Sequence, residues 1–331
     1  MPYEFNPFTE EFDFYLYDPT EYKAKTLPTF TAYSTMTNLS SPRAIHMAAA
    51  STADGIIFAQ GGYPHYGALE IYDISAGTWS TPTTTGCTPM NKAVCVYDED
   101  NDCFHFVAGA DESGDYLNKW QIYTYDTSGG SWEVKTATVT ERKSPFGCIH
   151  QGKIYVCGGA DSSGVLSSGE VIAISSSATG GSMASMPTSR STGACGIVCG
   201  YFYCYGGITT TSTWNNATNK VERYDFASDT WSDVTPSTGD PPYALNRLAY
   251  AVLGDGKLHT WCGADASNHS HNYHQIFDGS SWMTGVAAPA NSAGTGAAAY
   301  EDNAYLFGYD FARIMQGNVS CYDIVEQGEC S

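Results

Sequence analysis

Three histidines, His269, His271 and His274, crowd into the segment HSHNYH, where alternating imidazoles on an extended hairpin could share one metal ion. A polar loop can also hold histidines for no chemical reason, and Asp265 is the only carboxylate near them in sequence. Asp98, Glu99, Asp100 and Asp102 in YDEDNDCF offer oxygens of the kind calcium takes, although a solvated turn between two strands explains them more simply. A third group is spread along the chain. Arg43, Lys92, Arg142, Arg190 and Arg247 each stand just ahead of an apolar segment, while Asp111, Asp161, Asp265 and Asp310 each follow one. If folding gathers them, the two sets form rings at one mouth that neutralise each other, with each Asp capping its own loop, or they line a polar pocket for a sugar or an acidic group. No spacing singles out a nucleophile or a general base, and no cofactor is implied.

The elements that position these residues must be strands. The chain has 331 residues, 42% hydrophobic, with 34 glycines, 24 tyrosines and only 15 Lys plus Arg, a composition suited to many short strands and tight turns. A formal charge of -20 argues against nucleic acid or an anionic membrane as the main partner, since both require a cationic patch. No apolar run reaches the length of a membrane span. The cysteines number 11, an odd count, and Cys95, Cys148, Cys157, Cys199, Cys204 and Cys262 sit inside apolar strand-like runs. They read as unpaired buried thiols of a protein folded in a reducing cytoplasm. With no Cys-x-x-Cys pair, a thiolate zinc site is not expected.

The segments GIIFAQGG, CFHFVAGAD, KIYVCGGAD, YFYCYGG, KLHTWCGAD and NAYLFGYD each end an apolar strand in small residues, marked by Gly62, Gly109, Gly159, Gly207, Gly263 and Gly308. Behind them come Tyr72-Asp73 with Trp79, Tyr125-Asp126 with Trp132, Tyr224-Asp225 with Trp231, and a shortened Phe277-Asp278 with Trp282. The third copy lacks both aromatics and the sixth lacks the Trp. A glycine pair, then Tyr-Asp, then Trp, at a step near fifty, resembles the kelch repeat, whose units are four-stranded blades of a β-propeller. The resemblance covers residues 25–331 and implies an all-β, six-bladed propeller, with blades near 40–86, 87–138, 139–187, 188–238, 239–288 and 289–331. The last copy has no room for its outermost strand, and residues 27–37, LPTFTAYSTMT, resemble the outer strands elsewhere. They are expected to complete it.

Residues 1–24 form a separate segment. MPYEFNPFTEEFDFYLY is rich in aromatics, but Glu4, Glu10, Glu11 and Asp13 interrupt every apolar run, so it is not a secretory signal. Phe5, Phe8, Phe12 and Phe14 fit neither helical nor alternating spacing, and the segment is expected to be extended and to need another surface. EFNPFTEEFDF resembles a short segment near the start of many tailed-phage virion proteins, with Glu10 where glycine is usual. The resemblance implies an anchor, Phe5, Asn6, Pro7, Phe8, Phe12 and Phe14, buried in another virion protein. The long loops between second and third strands should lie at the mouth opposite the anchor, free to touch a host-surface glycan or protein. The expected function is therefore a non-enzymatic structural or adhesive protein of a phage particle, assembled in host cytoplasm: a tail fibre, appendage or capsid decoration. A carbohydrate-active propeller enzyme and an intracellular kelch interaction module are the alternatives. Against the enzyme, Asp73 to Trp79 misses the sialidase Asp-box spacing, and no motif selects the tyrosines, histidine and cysteine used by kelch-type copper oxidases.

Overall fold

The second strand of each repeat is covered on both faces: Ile56–Gln60 and Cys103–Val107 are buried at every position. Such strands read as continuous apolar runs, because neither face meets water. The first strands are made of small residues, as in MAAAS, FGCIH, ACGIV and GAAAY, and are half-buried, which places them along a central channel. The fourth strands, such as Thr78–Ser80 and Thr230–Asp233, are mostly exposed and form the rim. The computed structural model describes residues 4–6, 11–13, 29–41, 43–44, 47–62, 64–65, 67–135, 139–175, 181–211, 216–237, 241–308 and 312–318.

The architecture is an all-β propeller. Five blades are each drawn whole from one stretch of chain, with strands antiparallel and in sequence order from the channel outward. Blade 1 is Met47–Ser51, Ile56–Gln60, Leu69–Asp73 and Thr78–Ser80. Blade 2 is Val94–Asp98, Cys103–Val107, Trp120–Thr124 and Ser131–Lys135. Blade 3 is Phe146–His150, Lys153–Cys157, Gly169–Ala173 and Gly181–Met183, with a small extra ladder between Ala160–Asp161 and Gly164–Val165. Blade 4 is Ala194–Val198, Tyr201–Tyr205, Val221–Asp225 and Thr230–Asp233. Blade 5 is Ala249–Val252, Leu258–Trp261, His274–Phe277 and Trp282–Thr284. The last repeat supplies only three strands, Gly296–Tyr300, Asn303–Phe307 and Ala312–Asn318. They lie in a composite four-stranded sheet whose outer member is Thr29–Thr35. That pairing runs from Arg313 opposite Thr35 to Asn318 opposite Thr29, with a bulge at Gln316/Gly317.

One sequence expectation needs correction. In blade 2 the Trp132 partner across the ladder is Tyr123, not Tyr125, because the turn is longer and Thr124 pairs with Ser131. In the other copies the partners are Tyr72 and Trp79, Tyr224 and Trp231, and Phe277 and Trp282. In the opening segment Glu4–Asn6 and Glu11–Asp13 form an antiparallel ladder with Phe5 opposite Phe12. Alternation along so short a ladder is too brief to show as a period. Pro7, Phe8 and Phe14 lie outside the described residues, as does the path of residues 14–28 that would fix the face from which the segment leaves.

Apolar clusters fill the spaces between adjacent blades. Phe58 of blade 1 packs on Phe104 and Phe106 of blade 2, with ring centroids 5.1 and 5.2 Å away. The Trp of one blade donates its indole N–H to a carbonyl just past the outer strand of the preceding sheet: Trp132 to Thr83 (3.1 Å) and Trp231 to Ala184 (2.9 Å). Trp79 of blade 1 does the same to Thr37 (2.8 Å), just past the outer strand of the composite sheet.

Candidate functional site

The mouth of the channel is built from the residues leading into each inner strand. Four positions before that strand stand Arg43, Met90, Arg142, Arg190 and Leu245; two positions before it stand Lys92, Ser144, Thr192, Arg247 and Gly294. The expected basic ring merges these two levels, and the structure separates them.

At the outer level Arg43, Arg142 and Arg190 are fully buried inside their own blades. Arg190 donates to the carbonyls of Gly206, Lys220 and Cys204 and to Glu222 Oε2 at 2.8 Å. Arg142 donates to Gly158, Ser168 and Glu170 Oε1 (3.0 Å), and Arg43 pairs with Glu70. Burial pulls the Arg43 guanidinium below its usual value, and Glu70 opposes that shift. None of the three reaches the mouth. A guanidinium with five donors suits this place because it can satisfy several carbonyls and a carboxylate at once.

The partners Glu70, Glu170 and Glu222 occupy the second position of the third strand, a pattern visible in LEIYD, GEVIA and VERYD but not singled out from sequence. In blades 2 and 5 that position is Gln121 or Gln275, and the buried residue four positions before the inner strand is Met90 or Leu245. The carboxylate and the amide share one task. Glu70 accepts from the Ser40 N–H (2.7 Å) and Glu170 from the Thr140 N–H (3.1 Å), while Gln121 accepts from the Thr88 N–H (2.8 Å) and Gln275 from the Tyr243 N–H (2.8 Å). Each latches the incoming backbone to its blade.

At the inner level backbone groups link neighbouring repeats. The N–H of Ser144 donates to the Lys92 carbonyl (2.7 Å), Thr192 to Ser144 (3.2 Å), Arg247 to Thr192 (2.8 Å) and Gly294 to Arg247 (2.8 Å). Lys92, Ser144, Thr192 and Arg247 all hold positive φ, between 52 and 62 degrees, to make these links. A second stitch uses the paired small residues: Gly109, Gly159, Gly207 and Gly263 donate to the carbonyls of Arg142, Arg190, Leu245 and Ser292 in the next repeat, at 2.8 to 2.9 Å. Glycine is required there, since at Gly207 φ is +93 degrees and an added Cβ would lie 2.4 Å from the Ser191 carbonyl. Gly62 likewise has φ of +100 degrees.

The aspartates after the second strands serve their own loops. Asp111 Oδ1 accepts from Ser113 and Asp115 N–H (2.8 and 2.9 Å), Asp161 Oδ1 from Ser163 and Gly164 (2.7 and 3.2 Å), and Asp265 Oδ1 from Ser267 and His269 (2.8 and 2.9 Å). His271, then these backbone donors, hold the Asp265 carboxyl down at about 2. Asp310 lies outside the described residues.

The three loop histidines do not converge. His271 Nε2 is 3.0 Å from Asp265 Oδ2 and His269 Nδ1 is 3.6 Å from it, whereas His274 is a buried strand residue facing into blade 5. Its Nδ1–H donates to the Val286 carbonyl (3.2 Å) and its Nε2 accepts from His259 Nδ1 (2.9 Å). Strand periodicity had carried it out of the loop. The acidic turn likewise divides: Asp98 is buried and accepts from Asp100 N–H, Asn101 and His105, while Asp102 accepts from Tyr97 and Glu99 and Asp100 are exposed.

Asp98, Cys103 and His105 come together beneath blade 2, a grouping that sequence spacing did not reveal. The Trp120 indole N–H can only donate, and it points at His105 Nδ1 (3.0 Å). The neutral ring therefore carries its hydrogen on Nε2, directed at Asp98 Oδ2 (3.2 Å), and offers no lone pair to a metal. Burial lowers the His105 pKa against the opposing pull of Asp98.

Cys87, Cys95, Cys103, Cys148, Cys157, Cys195, Cys204 and Cys262 form no disulfide. Burial pushes Cys87 and Cys103 up to about 11 and Cys195 up to about 12, so these thiols are protonated at neutral pH. Cys199 departs from the unpaired reading, being disulfide-bonded. The channel itself has a volume of about 540 Å³ and is lined mainly by small and apolar residues. Among the described residues no histidine lines it. Among the described residues the charged ones lining it are Lys92 and Arg247.

Residues 189–238, which contain all four strands of blade 4, match the Kelch motif. A comparison with curated proteins finds no match to this chain. Among the described residues no helix is long and apolar enough to cross a membrane.

Proposed function

We propose that this protein is a non-enzymatic interaction module, a kelch-type propeller whose long loops at one mouth touch other macromolecules. The observation that carries this reading is a Kelch motif within an all-β propeller whose buried charges serve the frame, leaving loop residues such as His269 and Asp265 at the surface. In the finer reading the propeller is a virion component, attached through residues 1–24 to another protein of a phage particle and displaying its loops to a host glycan, a host protein or a neighbouring subunit. Support for that step is the Asn6-Pro7-Phe8-Thr9 segment and its aromatic surroundings. At roughly 1.5 to 3 kcal/mol per buried aromatic, Phe5, Phe8, Phe12 and Phe14 could offset the cost of ordering the peptide.

The composite sheet, in this reading, is a sixth blade that closes the ring. Its inner strand, Gly296–Tyr300, touches those of blades 5 and 1, and Trp79 treats its outer edge as Trp132 and Trp231 treat theirs. Two variants separate these claims. Deleting residues 1–24 should abolish incorporation into particles and leave the propeller's melting temperature unchanged; normal incorporation sinks the virion reading. Ala32→Pro, which removes a donor in the outer strand, should lower the melting temperature, and an unchanged melt sinks the ring closure.

A further inference from the structure

We propose that Asp255, His259 and His274 form a proton-controlled tie on the Thr29–Thr35 strand: while that strand is docked the two imidazoles hold three protons, so its undocking takes up a proton in acid and releases one in base. The inference does not depend on the virion reading.

A run of hydrogen bonds crosses blade 5 from its inner turn to the composite sheet. His259 Nε2 lies 3.0 and 3.2 Å from the two oxygens of Asp255, in the turn between the first and second strands. Its Nδ1 is 2.9 Å from Nε2 of His274, on the third strand. His274 Nδ1 is 3.2 Å from the Val286 carbonyl, just past the fourth strand, and the Tyr33 hydroxyl donates to that same carbonyl at 2.9 Å. Tyr33 belongs to Thr29–Thr35, where it stands opposite Met315. It also packs on the apolar cluster that contains Trp261, whose ring stacks on those of His274 and His259 with centroids 5.0 and 5.6 Å away. Lifting the strand therefore uncovers the histidines.

The proton count follows from what each end of the run can do. A carbonyl only accepts, so His274 Nδ1 carries a hydrogen; a carboxylate only accepts, so His259 Nε2 carries another. The contact between the rings requires one more. Three protons exceed by one what two neutral imidazoles hold, and the extra charge faces Asp255 in a place where both rings are buried. A fourth would set two cations ring to ring, and burial, then the charge of His259, oppose it by lowering His274 to about 3. The other titratable groups packed here are Asp302 of the composite sheet, which stands against Gly254 beside Asp255, together with Tyr33 and Cys262. Burial, and then Cys262, raise the Tyr33 hydroxyl above its ordinary value, so it stays a donor. Once exposed, both rings return to the ordinary value near 6.5, holding four protons in acid and two in base. Docking is therefore tightest near that pH, and the proton exchanged on either side changes the opening constant by up to about tenfold per pH unit.

The test is hydrogen exchange of the full chain from pH 5 to 8, read by mass spectrometry in residues 29–35 and 312–318 and corrected for the intrinsic rate at each pH. Opening should be rarest near pH 6.5 and about eightfold more frequent at both limits, whereas Thr230–Asp233, the outer strand of blade 4, should show no such minimum. His274→Gln keeps a donor and an acceptor in place and should erase the acid limb alone; His259→Gln should erase the alkaline limb alone. In case a variant fails to fold, nitrogen-15 histidine NMR needs only the unmodified protein: one imidazole should keep hydrogens on both nitrogens at pH 8. A profile without a minimum, a limb that survives in its own variant, or the absence of a doubly protonated ring at pH 8 would each overturn the proposal.

Discussion

Blade 4 and blade 5 solve one problem with different chemistry. Both must fasten the chain that leads into the inner strand, and both do so from the second position of the third strand. Blade 4 places a carboxylate there, Glu222, and with it a fully buried arginine, Arg190. Blade 5 uses Gln275, whose amide accepts from Tyr243 N–H, and puts Leu245 where the arginine would be. Blades 1 and 3 follow blade 4, and blade 2 follows blade 5 with Met90 and Gln121. The two positions change together because a buried carboxylate without a countercharge is costly, whereas an amide needs none.

The largest test of this pairing is Glu222→Gln, which strands the Arg190 charge in a dry interior and should cost about 3 to 5 kcal/mol in urea denaturation at pH 7. Adding Arg190→Met reproduces the side-chain pair of blade 2 and should recover more than half of that loss. A double variant no better than the single one would show that the blades are not interchangeable in this respect. The converse change, Gln121→Glu in blade 2, presents a carboxylate to the Thr88 carbonyl with no arginine nearby and should cost about 2 kcal/mol, part of it regained with Met90→Arg.

Acid should separate the two kinds of blade next. Burial, then the charge of His259, lowers His274 to about 3, and burial also lowers His105. Both histidines belong to the amide-latched blades. With folded values below the unfolded value near 6.5, the unfolded chain binds protons that the folded chain does not, so stability falls as pH drops below that value. Each unmatched proton costs up to about 1.4 kcal/mol per pH unit. Below about 4 the capping carboxylates, such as Asp233 and Asp265 at about 2, add a loss of the same sign. Hydrogen exchange between pH 6.5 and 4 should therefore lose protection in blades 5 and 2 before blade 4, which contains no histidine. Simultaneous loss would remove the histidines from the explanation.

The smallest expected difference lies in the outer tryptophans. The Trp231 indole donates to Ala184, whereas the Trp282 indole has no hydrogen-bond partner among the described residues. Trp231→Phe should cost about 1 kcal/mol more than Trp282→Phe. Equal melts would mean that ring packing, not the hydrogen bond, sets the value of this position.

What could be read in advance followed from repetition. Gly109, Gly159 and Gly207 recur because positive φ and close backbone contact leave no room for a side chain, and such a constraint writes itself into every copy. The Trp positions were legible for the same reason. The mouth was not. Arg190 and Arg247 look alike in a linear string, yet they differ by two positions relative to their strands, and that offset sends one into the blade and the other into the channel. The Glu and Gln latches escaped notice because each lies within an apolar strand, about thirty residues from the backbone it holds. The Asp98–His105 contact was hidden by a turn that masked the strand spacing between them.

The seam at Thr29–Thr35 has a mechanical consequence. That strand runs antiparallel to Ala312–Asn318, with partners spread along its whole length. A pull transmitted from the preceding residues along the strand axis would act on those hydrogen bonds as a shear, straining them together instead of unzipping them singly. Any attachment made through the leading peptide would thus transfer tension to the part of the wheel where the two distant portions of chain clasp, and a single-molecule stretching record should show one abrupt rupture there.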